Sequence, residues 1–465
     1  MLFALNAIVL GLEVALWLML FSQPRRYIKG LFTLAPWLGL YVVMGAEWDF
    51  FKAGLVMSPL LWLWGPRMPA LGRIRVALFA VAIIAVILLS WQLFSKEVQQ
   101  YDILRTVNVD GRLSIATALF LLRLSLPFLI CAFVKRPADI ESCAGAYVNS
   151  VLVLCVYGLF QQAVFLMTGH PVTYVMRQGV FGDSTEVSSV QMFGWTLMRV
   201  HSFSKEPKDL ALFCVPAIAW LWSQLGVRRM VVLKLVVILA ASVLTFSSSF
   251  VLVFPAVVFV VEWMRHRRGI KRRPATYVFG ALVLATFVPF YLSVSQVRVS
   301  ERFNRAEDLL QVGRERPLYF FLADQFPRSL FGYGVGTQTS FLPGYMTREY
   351  WSKSLETREV VGVDSFAMTL FSDLGIEGLL LVLLAVVTAV RSKRVSLPTK
   401  SALAAVAIAG IPLNCDLRSG ILWLFLGLAA AEARLARPGP KMAMVSQEVR
   451  WRRPEVVDEV VRGGG

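Results

Sequence analysis

Apolar runs near bilayer-spanning length recur along almost the whole chain, and short polar or charged connectors separate them. About twenty apolar residues in a helix cross the roughly 30 Å hydrocarbon core of a bilayer. The pattern predicts spans near 2–21, 27–44, 51–64, 76–94, 113–133, 148–168, 209–225, 231–246, 250–264, 276–293, 366–390, 398–413 and 420–434. The third is short. The run from Met230 to Met264 reads as one long helix or as two. Charge favours two, divided at Ser247-Ser248-Ser249: Arg228 and Arg229 precede the run, and six Lys/Arg between Arg265 and Arg273 follow it. Both clusters belong on the cytoplasmic side, so the run must enter and return. The expected fold is all-α and polytopic, with about 12–13 transmembrane helices.

Composition strengthens this picture. Of 465 residues, 57% are hydrophobic and 17% charged, against about 25% charged in an ordinary soluble chain; mean hydropathy is +0.63. The net charge of +17 raises the question of nucleic acid. Its placement answers that, because the cations sit in clusters between apolar runs and no basic domain interleaved with aromatics exists. Nucleic acid is therefore not an expected partner; the lipid bilayer is.

One alternation of spans puts every basic connector inside: Arg25, Arg26 and Lys29; Arg67, Arg73 and Arg75; Lys135 and Arg136; Arg391, Lys393 and Arg394. Glu47, Asp49, Glu97 and Asp102 then fall outside. The chain divides into N-terminal spans (1–168), an outside loop (169–208), central spans (209–293), a large outside loop (294–363), C-terminal spans (364–435) and a cytoplasmic tail (436–465). The first apolar run has no basic region before it and no small-residue cleavage site after it, so it reads as a retained helix. Cys131, Cys155 and Cys214 fall in apolar runs and read as small core residues, and none of the five cysteines has metal-ligand spacing.

Four constellations could carry chemistry. In the first, Glu206-Pro207 opens a helix after Arg199-Val-His201-Ser-Phe-Ser-Lys205. Pro207 suits the first helical turn, and Glu206 at the positive end of the dipole can be a cap or a base. Arg199, Lys205 and Lys208 would attract a phosphate, or snorkel at the interface. The second is the cationic content of the large loop. Arg302, Arg305, Arg314 and Arg316, with Arg298 and Arg328, suit phosphate oxygens. With Glu301, Glu307, Asp308 and Glu315 they equally suit a salt-bridged surface helix. The third, Phe331-Gly332-Tyr333-Gly334-Val335-Gly336, allows tight turns and close ligand approach at its glycines. The fourth is Asp364-Ser365-Phe366 followed by Asp373-Leu-Gly375-Ile-Glu377-Gly378. Asp364 stands at the outer mouth of a span, as a base or as an N-cap. Asp373 and Glu377, four apart, would share one helical face. Carboxylates inside a span are functional by default, unless the span begins only after Gly378.

In this order the elements resemble the O-antigen ligase and O-antigen polymerase superfamily of integral-membrane glycosyltransferases. The likeness runs through about residues 195–390. It rests on Arg199 to Pro207 (one residue longer than the family's element), Leu244-Thr-Phe-Ser247, the arginine-bearing loop with its alternate glycines, and Asp373 to Gly378. The resemblance implies a bacterial inner-membrane enzyme whose active face is periplasmic. Its donor would be a polyprenyl-diphosphate-linked glycan and its acceptor a second glycan, with no cofactor and no metal. A chain-length regulator and a flippase are the partners such an enzyme implies. Asp364-Ser365 stands where the family's ligases have His followed by Asn, which favours the polymerase branch over ligation to lipid A core. Arg199, Arg302, Arg305, Arg314 and Arg316 would hold the diphosphate, Asp364 or Glu206 would act as base, and Gly332, Gly334 and Gly336 would shape the loop. A transporter or lipid flippase of the same pathway is the alternative; a non-catalytic scaffold is a third.

The alternation is directly testable. Reporter fusions after Lys271 and Arg394 should report cytoplasm, and fusions near Gly182 and Tyr345 should report periplasm. A cytoplasmic signal at residue 345 would overturn both the orientation and the outside placement of the large loop.

Overall fold

The structure, a computed structural model, describes residues 11, 15–20, 22–37, 41–43, 46–48, 50–64, 109–171, 189–192, 195–202, 207–225, 229–269, 323–324, 326, 328–336, 365–411 and 420–436. The expected spans at 76–94 and 276–293, most of 2–21, most of the large loop and the tail beyond 436 lie outside these residues. Of the described residues, 81% are helical and 3% are strand. That places the chain among helical proteins, although two short hairpins interrupt the pattern.

Helix α1 spans Pro24–Leu34. It does not continue to residue 44 as expected. Pro36 lacks an N–H and cannot extend the helical hydrogen-bond ladder, and the chain turns into an antiparallel pair, β1 (Tyr41–Val43) with β2 (Ala46–Trp48), in register Tyr41↔Trp48. Helix α2 (Phe50–Met57) runs into a 3-10 turn, Ser58–Trp64, covering the third expected span. Helix α3 is Val109–Phe133. Helix α4, Pro137–Thr168, begins eleven residues before the expected 148. Its start is set by Pro137 in the first turn and by Asp139, whose Oδ2 accepts from Arg136 N at 3.0 Å and Lys135 N at 3.3 Å. A second hairpin, β3 (Ser189–Met192) with β4 (Trp195–Met198), lies within the 169–208 segment expected as a loop.

Helices α5 (Pro207–Ser223), α6 (Arg229–Leu244) and α7 (Ser248–His266) follow. The division of the long run falls where charge placed it. Ser247 caps α7, its side chain accepting from Phe250 N. Helix α8 is Phe366–Arg391, α9 Leu397–Ala409 and α10 Ile421–Leu435.

Every residue of α5 from Leu210 to Ser223 is buried. A helix apolar all round belongs in a bundle centre, and α5 packs against α6, α7 and α9. Aromatic edges lock the neighbouring layer: Phe425 of α10 meets Tyr147 at 5.3 Å and Phe32 at 5.8 Å, and Trp423 meets Phe120 at 6.2 Å. Among the described residues, three helices are long and apolar enough to cross a membrane: Ile115–Phe133 within α3, α4 and α8. Less than half of each apolar window is buried by protein. The outward residues include Val153, Val156 and Phe160 of α4, and Leu380, Leu383 and Leu384 of α8. An apolar surface of this extent needs an apolar medium.

The basic connectors gather at one end of the bundle. Arg268 Nη2 donates to Val395 O at 2.6 Å, joining the end of α7 to the α8–α9 connection. Arg265 Nη1 donates to Ser223 O at the end of α5 (3.1 Å), and Arg434 Nη2 to Val134 O at the end of α3 (2.7 Å). Arg25 of α1 reaches Asp139 of α4 at 3.8 Å. At the opposite end, Ala367 N donates to Gly410 O at 3.1 Å, and Ser365 Oγ donates to Ile411 O at 2.6 Å while accepting from Met368 N at 3.3 Å. Ser365 therefore caps α8. The capping alternative for Asp364 is corrected by this arrangement, in which its neighbour fills the position.

Ser365→Ala removes both the cap and the tie to α9. It should lower stability by about 1–2 kcal/mol, read as a lower thermal midpoint in detergent. An unchanged midpoint would remove Ser365 from the account of how α8 starts.

Candidate functional site

Two of the constellations read from the sequence meet in space. The short 3-10 turn Arg328–Phe331 leads into Gly332-Tyr333-Gly334-Val335-Gly336, which lies against the middle of α8. There Gly375 has φ 70° and ψ −171°, so α8 is two helical pieces joined at a break. In a continuous helix the carbonyls of Ser372 and Asp373 would pair with residues 376 and 377. Here Ser372 O accepts from Tyr333 N at 2.8 Å, and Asp373 O accepts from Gly334 N at 2.9 Å. Gly336 N donates to Asp373 Oδ1 at 3.3 Å.

Glycine is obligatory on both sides of this crossing. Gly332 has φ 77°, and a Cβ on it would stand 2.6 Å from the Leu374 carbonyl carbon and 2.9 Å from Asp373 O. A Cβ on Gly375 would stand 2.5 Å from the Phe331 carbonyl carbon and 2.8 Å from Gly332 N. Gly334 and Gly336 also have positive φ, 91° and 78°.

The break changes the expected carboxylate pair. Asp373 is 1% exposed, and its Oδ2 has no hydrogen-bond partner among the described residues. Glu377 is exposed. The two do not share a face, because the non-helical Gly375 between them destroys the four-residue register. Nor does the helix begin after Gly378; it begins at Phe366 and carries Asp373 inside.

The element around Arg199 meets its own distant partner. Val200 N donates to Leu244 O at 2.9 Å, and Arg199 Nε donates to Thr245 O at 3.2 Å. The segment before α5 is thus fastened to the α6–α7 turn, which is the Leu244 to Ser247 element. His201 is buried, with Nδ1 donating to Ser202 O at 2.8 Å. Ser202, at φ 56°, donates its N–H to Gln161 Oε1 of α4 at 3.0 Å. Pro207 opens α5 as expected.

Of the expected site residues, the structure describes Arg199, Gly332, Gly334 and Gly336. Glu206, Arg302, Arg305, Arg314, Arg316 and Asp364 lie outside the described residues. Sequence reasoning passed over Gln161 and Gln162. Gln162 is buried and, among the described residues, neither of its side-chain polar atoms is paired, nor is the Ser202 hydroxyl. Two adjacent amides in an apolar run were the available signal. Among the described residues, no group of three or more His, Cys, Asp or Glu could hold a metal ion. The Cys155 and Cys214 thiols are free and lie 3.5 Å apart in the core. No known family model matches the chain, and no curated protein matches it.

Alanine at Gly332 or Gly375 must adopt positive φ, at about 1–2 kcal/mol, and must also push two backbones apart. Each substitution should lower the thermal midpoint markedly. Gly145→Ala in α4, where a Cβ meets nothing within 4 Å, should be neutral or slightly stabilising. Equal effects at all three positions would contradict the crossing.

Proposed function

We propose that the chain is a membrane glycosyltransferase acting at the outer face of the bacterial inner membrane, of the polymerase or ligase kind. Its substrates are undecaprenyl-diphosphate-linked oligosaccharides in surface-polysaccharide synthesis. One observation carries the reading. Four sequence elements of the O-antigen polymerase and ligase resemblance pair off across long stretches of chain, Arg199-Val200 with Leu244-Thr245 and Gly332 to Gly336 with Ser372 to Gly375. The polytopic inside–outside arrangement belongs to the same proposal, and the gathering of basic connectors at one end of the bundle supports it.

The reaction needs little machinery. An acceptor hydroxyl oxygen attacks the donor's anomeric carbon, the bond from that carbon to the diphosphate oxygen breaks, and the polyprenyl diphosphate leaves with the electron pair. Arg302, Arg305, Arg314 and Arg316, with Arg199, would stabilise the departing charge through fixed donor forks. Asp364, or failing it Glu206, would take the hydroxyl proton.

A second reading, a transporter or flippase of the same pathway, draws on one observation. A helix broken at mid-length beside a buried carboxyl is how many transporters build a substrate site.

Purified protein given a lipid-linked oligosaccharide in detergent separates the two. The enzyme reading expects polymer. It also expects Asp364→Asn to insert normally and lose roughly 10²–10⁴ in rate, and Arg314→Ala or Arg316→Ala to lose polymer. Asp373→Asn keeps an acceptor for Gly336 N and should preserve polymer formation. No polymer from the wild-type chain, with translocation of the lipid-linked sugar in liposomes that Asp373→Asn abolishes, would establish the second reading instead.

A further inference from the structure

We infer that a pocket between the N-terminal ends of α1 and α4 is a binding site for a phosphate-bearing anion, supplied by an anionic lipid headgroup or by free phosphate. The site is separate from the outer-face chemistry proposed above and does not depend on it. The pocket has a volume of about 450 Å³, and Arg25, Arg26, Lys29, Arg136 and Asp139 are in its lining.

Among the described residues, its charge is unbalanced. Four cations face one carboxylate. That carboxylate is already engaged by the backbone N–H groups of Lys135 and Arg136. It reaches Arg25 and Arg136 only at 3.8 Å and 3.7 Å. Among the described residues, Arg26 and Lys29 have no carboxylate partner. Arg25 and Arg26 also occupy the first turn of α1, which holds no acid. The helix dipole is positive at that end and disfavours cations there. The start of α4 is already offset by Asp139 in its first turn. The four cations and the positive end of α1 thus converge on one concavity, and an anion with several oxygens relieves them together.

The location suits a headgroup. Helix α4 has 32 residues and an apolar window long enough to cross a membrane, so its length of about 48 Å exceeds the hydrocarbon core and leaves polar turns for the headgroup layer. The pocket shares its end of the bundle with the Arg434 and Arg268 ties. Basic pockets between helices at a negatively charged leaflet are where anionic lipids dock.

The test is thermal unfolding of the full chain in neutral detergent with added phosphatidylglycerol, phosphatidylcholine or, at constant ionic strength, inorganic phosphate. Phosphatidylglycerol should raise the midpoint and phosphatidylcholine should not. Arg26→Ala with Lys29→Ala should weaken the apparent affinity by roughly thirtyfold, since each cation near an anionic surface contributes about fivefold. Lys393→Ala with Arg394→Ala removes the same charge at the same end of the bundle and should leave the response intact. Lys29→Gln alone, expected to lose about fivefold, serves if the double variant does not fold. A response to inorganic phosphate with the same variant sensitivity would make free phosphate the source. No response to either anion, or an equal response in the Arg26 and Lys29 variants, would overturn the site.

Discussion

A helix that breaks inside an apolar bundle frees backbone carbonyls, and an unpaired carbonyl away from water costs several kcal/mol. The break at Gly375 of α8 is sustained because the turn Gly332 to Gly336 supplies N–H groups where the helix stops supplying them. Tyr333 N and Gly334 N reach Ser372 O and Asp373 O, and Gly336 N reaches the Asp373 carboxyl. The exchange works only if two main chains touch, and they can touch only where neither carries a Cβ. The consequences spread from there. Asp373 turns inward, Glu377 outward, and a segment separated from α8 by some thirty residues of chain becomes part of its wall.

The bundle has a different character at each end. One end is held by arginines donating to the carbonyls that finish α3, α5 and the α8–α9 connection. These bonds use the same charges on which the proposed orientation rests, so in that proposal the residues that fasten the helices also set their direction. The other end is fastened mostly by backbone and hydroxyl groups, through Ser365 and Gly410 and through the Val200–Leu244 pair, with Arg199 adding one bond to Thr245 O.

Much of this was legible beforehand. The helices α3 and α5 to α10 follow their apolar runs, and the Ser247 break between α6 and α7 was readable from charge on either side. What was not legible has local physical causes. Pro36 stopped α1 and let residues 41–48 pair as a hairpin, which run length alone cannot reveal. Pro137 and Asp139 started α4 early, because a capped first turn tolerates the polar residues that made it look like a connector. The Asp373–Glu377 pair assumed an unbroken helix. Gly375 was visible in the sequence, but its partner Gly332 lies 43 positions away, and periodicity holds no information about a contact at that separation. The alternate glycines were legible in the sequence; the break in α8 that they lie against was not.

Hydrogen exchange tests the crossing most directly. In detergent, the amides of Tyr333 and Gly334 should exchange slowly, with protection comparable to that of α8 itself, because both donate to α8 carbonyls. Gly375→Ala should release that protection while α5, distant in the chain and centrally buried, keeps its own. Exchange of the Leu330 to Gly336 peptide at the rate of a free loop in the wild-type protein would contradict the account.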